Sequence, residues 1–243
     1  MRAGALVAAI ADVRFPQLLL LSAAGWALML LSAGGLITPT LCSAGHASLL
    51  AGSSHAIAAA FAFNPPTGEI GPWLVMLLAM MPPLLTQPLA HLWDRSFSRY
   101  RWSAIALFVT GYGAVWMLAG LVLMAAAIVA GVLSARFGLS PLVPATGLAL
   151  LWQCCPAKQI CLNCCHRLPR LSPFGLAAHA DSLRYGLVSA VWCVGACWAL
   201  MLIPLVAQSG HLPVMAAASV LMLAERFAQA RPARWGWPAA PMP

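Results

Sequence analysis

No charged residue interrupts the chain between Arg101 and Arg136. A run of that length exceeds the roughly 20 apolar residues that cross a bilayer core as one helix. It can be buried only in the interior of a large protein or in lipid. Composition decides between them. Of the 243 residues, 62% are hydrophobic and 7% are charged, whereas a soluble domain carries charge on about a quarter of its residues. Mean hydropathy is +0.87. A transmembrane β-barrel would read as short alternating segments, and these runs are continuous. The expected fold is all-α: a polytopic membrane helix bundle forming one transmembrane domain over residues 1–243.

Six spans are expected, at about 16–37, 70–92, 104–132, 142–163, 184–207 and 212–228. The third is long enough to tilt. Pro16 suits a first helical turn. Pro82-Pro83, Pro156 and Pro204 fall inside spans two, four and five and are expected to kink or break them. With six spans, both termini share a side with the loops after spans two and four. That side collects twelve of the thirteen Lys and Arg residues, and the opposite side holds Arg136 alone. Cytoplasmic loops carry such an excess, so both termini are expected in the cytoplasm, with the chain in a bacterial inner membrane. The same topology accounts for the net charge of +8 and removes the case for a nucleic-acid partner. Span one is too long for a signal-peptide core, and no lipoprotein-type cleavage site precedes Cys42, so the span is expected to be retained. Loop 38–69 is then external. The tail 229–243, with Trp235 and Trp237, reads as an interfacial or disordered end. No soluble domain and no internal repeat stand out.

The chemistry available is mostly sulfur. Asp and Glu total five, against eight Cys and eleven Met. No phosphate-binding glycine loop, Ser-His-Asp set or carboxylate pair stands out, so nothing marks an enzyme. Cys161 and Cys165 are four apart at the end of span four, and Cys193 and Cys197 are four apart inside span five. Residues four apart share a helix face, and soft thiolate and thioether ligands select copper(I), zinc or iron–sulfur. Counting about 1.5 Å per residue from the basic edge, Cys197 and Met80 both lie roughly 20 Å deep. Met76, Met80, Cys193, Cys197 and Met201 are thus expected to meet near mid-membrane. Cys154 and Cys155 lie at similar depth if span four is regular. Cys42, His46 and His55 outside, and His166 beside Cys165, are secondary candidates. His91, His179 and His211 read as interfacial. The alternative throughout is packing, since a buried Cys or Met behaves as a compact hydrophobe.

Several stretches resemble the bacterial predicted metal-binding integral membrane proteins, domain of unknown function family 2182. They read WLVMLLAMMPP at 73–83, GYGAVW at 111–116, WQCCPAKQICLNCCHR at 152–167, GLVSAVWCVGACWALM at 186–201 and ER at 225–226. The likeness covers about residues 70–228. Gln153, Pro156, Lys158, Cys161, Leu162 and Cys165 match one family pattern. Cys193, Gly195, Cys197, Trp198, Leu200 and Met201 match a second. The chain departs at Ala196, where the family has a middle cysteine, at His166, where it has Arg, and at Gly210-His211-Leu212-Pro213, where it has Gly-x-Met-Asn. The resemblance implies a helical membrane protein that binds metal.

The reading that follows is a membrane protein handling a soft metal, copper(I) or zinc, in contact with the bilayer and with a membrane or periplasmic partner. A non-catalytic assembly subunit stays open. So does a thiol oxidoreductase, which is less favoured because a CxxxC on one continuous helix has parallel Cβ vectors unsuited to a disulfide. Lys158 is expected near the cytoplasmic boundary, snorkelling and lowering the thiol pKa at Cys161. Cys193 and Cys197 are expected to point into the bundle, with Gly195 and Ala196 admitting a close neighbour helix and Trp198 filling space beside them.

Overall fold

The computed structural model describes residues 16–33, 66–172, 174–207 and 210–236, and these are helical with no strand among them. In chain order the helices are α1 (Pro16–Ala33), α2 (Pro66–Met80), α3 (Thr86–Arg95), α4 (Arg101–Arg136), α5 (Leu142–Cys154), α6 (Pro156–Cys165), α7 (Gly175–Val206) and α8 (His211–Arg226). Three of them, α1, α4 and α7, are long and apolar enough to cross a membrane. The bent pair formed by α2 and α3 makes a fourth if counted as one span. By length and composition, the described residues thus support three to four of the six expected spans. The 13-residue α5 and 16-residue α8 fall short on their own.

Proline sets two of the three expected breaks. Helix α2 stops at Met80, Pro82–Leu85 form a 3-10 turn, and α3 leaves at 55°. A proline ring lacks the N–H of the helical ladder and clashes with the preceding turn. At the second break Cys155 is extended, with φ −74° and ψ 133°, and Pro156 opens α6. The residue before proline is pushed out of the helical region, and proline suits the first helical position. Span four is thus two helices, not one regular rod. Pro204 behaves otherwise. Helix α7 runs through it and ends two residues later.

The centre of the bundle is α4 against α7. Contacts rise in step along both helices: Tyr100 meets His179, Phe108 meets Tyr185, and Tyr112 meets Cys193. The two helices therefore run parallel, and α5 and α6 carry the chain back between them. Their backbones touch at Gly111 and Gly186. A Cβ on Gly186 would run into the Phe108 carbonyl, and one on Gly111 would lie 2.8 Å from the Leu183 carbonyl oxygen. Without side chains there, the axes approach closely, as small residues allow in membrane helices. Helix α1 packs on α2, where the Ser22 hydroxyl donates to the Ala79 carbonyl at 2.5 Å. Trp73 of α2 donates to the Trp116 carbonyl of α4 at 3.2 Å. The tail follows α6 over its described part. Asn163 exchanges two hydrogen bonds with the Arg231 backbone, and the Gly236 N–H donates to the Cys154 carbonyl. Trp235 is exposed.

Candidate metal centre

Met76, Met80, Cys197 and Met201 belong to one continuous buried core, with Cys193 packed against it. Cys197 is 5% exposed and Met76 and Met201 are fully buried. The thiols of α7 thus face protein rather than lipid. The Cys197 thiol donates to the Cys193 carbonyl one turn back at 2.9 Å.

A further sulfur reaches this point from the end of α2, just before Pro82-Pro83, and it is that of Met81 rather than Met80. The Tyr112 hydroxyl of α4 lies 3.2 Å from Cys193 Sγ and 3.7 Å from Met81 Sδ. One phenol therefore touches a thiol from α7 and a thioether from the break after α2. Tyr112 and Met81 are both buried. Neither stood among the sequence candidates. Tyr112 had a signal, being one of only three tyrosines in the chain and a polar aromatic in an apolar helix. Met81 had none, because it follows Met80 in an apolar run and only the packing of α2 against α4 selects between them.

Cys161 approaches α7 from another side. A Cβ added at Gly195 would lie 2.8 Å from Cys161 Sγ. At about 100° per residue, Gly195 lies nearly opposite Cys193 and Cys197. The glycine does admit a close neighbour, as expected, and that neighbour is a cysteine of α6. Trp198 packs edge-on against Trp152 of α5 at 5.2 Å, and the Trp152 indole donates to the Gly195 carbonyl at 3.0 Å. Cys165 lies within electrostatic reach of Cys193, Cys161, Cys164 and Arg226. Cys154 and Cys155 are half-buried at the α5–α6 break. The ring nitrogens of His166 lie 2.8 Å from the Leu162 carbonyl oxygen and 2.9 Å from that of Arg226, and a neutral imidazole donates to only one of them. Cys42, His46 and His55 lie outside the described residues.

Lys158 does not snorkel. It is 1% exposed, and its ammonium bonds both oxygens of Glu225 on α8, at 2.8 and 2.7 Å, and the Gln153 side-chain oxygen. Gln153 in turn donates to Glu225 at 2.6 Å. Burying a charge is tolerable only when it is paired and hydrogen-bonded, and this cluster meets both conditions. It joins α5, α6 and α8. Next to Glu225, Arg226 is 9% exposed, and its Nη1 has no hydrogen-bond partner among the described residues. A sequence signal for Glu225 existed: a lysine inside an apolar span calls for an acid partner, and the chain has only five acids.

Among the described residues no group of three or more His, Cys, Asp and Glu is arranged to hold a metal. Zinc sites take four such ligands in a tetrahedron, so zinc finds no support. Thiol and thioether donors suit copper(I).

Helices long and apolar enough to cross a membrane, packed around buried thiols and thioethers, are compatible with a helical membrane protein rich in soft donors. The chain belongs to the PpoB2 copper chaperone family, whose family model matches residues 70–240. The match agrees with the metal-related family expected from the sequence, and the family's description points to copper. Comparison with curated proteins and with solved structures gives no match.

Proposed function

We propose that this chain is a membrane-embedded copper(I) chaperone that holds its cargo between α4, α7 and the break after α2. Cys193 and Cys197 supply thiolates, and Met81 supplies a thioether. Met76, Met80 and Met201 extend the soft lining. Cys161 and Cys165, near the cytoplasmic end of α6, serve as a second station, from which copper passes to or from a partner protein. The observation that carries this reading is the Tyr112 hydroxyl set between Cys193 Sγ and Met81 Sδ, inside the family-matched region. A thiolate in an apolar core is an uncompensated charge, and a bound copper(I) ion removes that penalty. The topology belongs to the same proposal: six crossings with both termini cytoplasmic, α5 with α6 forming one broken span and α8 a short one, in a bacterial inner membrane.

Metal analysis of protein purified under reducing conditions tests the site. The wild type should carry copper(I) in stoichiometric amount, with sulfur scatterers in its X-ray absorption spectrum. The Cys193→Ser/Cys197→Ser double variant should insert normally and lose the metal. Full copper content in that variant would overturn the assignment.

A further inference from the structure

A second feature lies outside the sulfur core. A cavity of about 700 Å³ opens between α7 and the segment after α6. Three arginines line it, Arg167, Arg170 and Arg184, with Asp181 as its one acid. Asp181 accepts a hydrogen bond from the Ser172 N–H at 2.9 Å and lies within electrostatic reach of Arg184. Arg167 and Arg170 have no ion-pair partner among the described residues. The cavity therefore carries net positive charge.

Its wall is built rather than draped. His91 of α3 bonds the Pro169 carbonyl at 2.9 Å, and Asp181 of α7 holds Ser172. The segment bearing Arg167 and Arg170 is tied to two helices. The cavity also has a direction. Arg184, Val188 and Trp192 all line it, and a spacing of four puts them on one face of α7. From Arg184 to Trp192 the face descends about 12 Å, from charge to hydrocarbon. Val188 is 44% exposed, so the cavity opens sideways, toward the surroundings of the bundle.

We infer that this cavity binds an anionic phospholipid, with the phosphate at Arg167 and Arg170 and an acyl chain along Val188 and Trp192. Both halves of the ligand are represented in the lining. A soluble phosphate ester would use the arginines and leave the apolar stripe without a role. Basic pockets between membrane helices bind acidic head groups, with each basic residue contributing several-fold. The inference rests on the membrane reading and does not depend on copper.

Native mass spectrometry of the full chain in detergent, with equal phosphatidylglycerol and phosphatidylcholine, is the test. The wild type should retain phosphatidylglycerol on the order of ten-fold over phosphatidylcholine. Arg167→Gln/Arg170→Gln, altering two exposed side chains, should bring that ratio close to one. The Cys193→Ser/Cys197→Ser variant should keep the wild-type preference, which separates failure of the copper site from failure of this one. Equal retention of the two lipids by the wild type, or an unchanged ratio in the arginine variant, would overturn the site. Complete displacement of phosphatidylglycerol by millimolar inorganic phosphate would also overturn it, by reassigning the cavity to a soluble anion.

Discussion

The Tyr112 hydroxyl lies 3.2 Å from Cys193 Sγ, across the interface of two parallel helices. With Met81 Sδ 3.7 Å away on the other side, the phenol fixes the distance between a thiol and a thioether 112 residues apart in sequence. Removing its oxygen as Tyr112→Phe keeps the ring and the packing. A hydrogen bond to a charged sulfur is worth about 1.5–3 kcal/mol. Copper(I) affinity in a competition assay with a soluble copper(I) chelator should fall by about ten-fold or more, with expression unchanged. Wild-type affinity in Tyr112→Phe would show that the hydroxyl plays no part in holding the cargo.

The cluster of Lys158, Gln153 and Glu225 should behave as a unit. Glu225→Gln leaves a buried ammonium short of its counter-charge, and breaking such a pair costs about 3–5 kcal/mol. Thermal unfolding in detergent should drop sharply for Glu225→Gln and for Lys158→Met alone. The double change Lys158→Met/Glu225→Gln should recover much of the loss, because no uncompensated charge remains. Additive losses in the double variant would mean that the two groups do not interact.

Gly195→Ala tests the seat of Cys161. The added methyl would meet Cys161 Sγ at 2.8 Å, and overpacking of this kind costs about 1–3 kcal/mol. Pairing it with Cys161→Ala removes the sulfur and leaves Cβ at an ordinary 3.6 Å. Stability should return toward that of Cys161→Ala alone, giving a coupling readable in a double-mutant cycle.

Topology can be read with tags. Cysteines introduced in tags at either terminus should resist an impermeant thiol reagent in intact cells and react after permeabilisation. Ready labelling from outside at either end would reverse the orientation drawn from the Lys and Arg distribution.

Helix content and membrane character were legible in the sequence because both are properties of local runs. Lipid demands that backbone groups be satisfied within each segment, so an uncharged apolar stretch such as 102–135 can hardly be anything but a helix. The breaks at Pro82-Pro83 and Pro156 were legible for the same reason, since a missing N–H acts within one turn. Periodicity also placed Cys193 and Cys197 on one face, and that face is turned inward. Partnerships across helices were decided only by tertiary structure. Which methionine meets Tyr112 depends on how the end of α2 faces α4, and a change of one residue rotates a side chain by about 100°. Whether Lys158 snorkels or is buried depended on Glu225 arriving from α8, 67 residues away. Composition and spacing fix which chemical groups the chain owns and which face of its own helix each occupies. Distances between helices are set by where backbones can touch, at Gly111 and Gly186, and by where a glycine admits a neighbour's side chain, as Gly195 admits Cys161, and that follows only once every helix has found its neighbours.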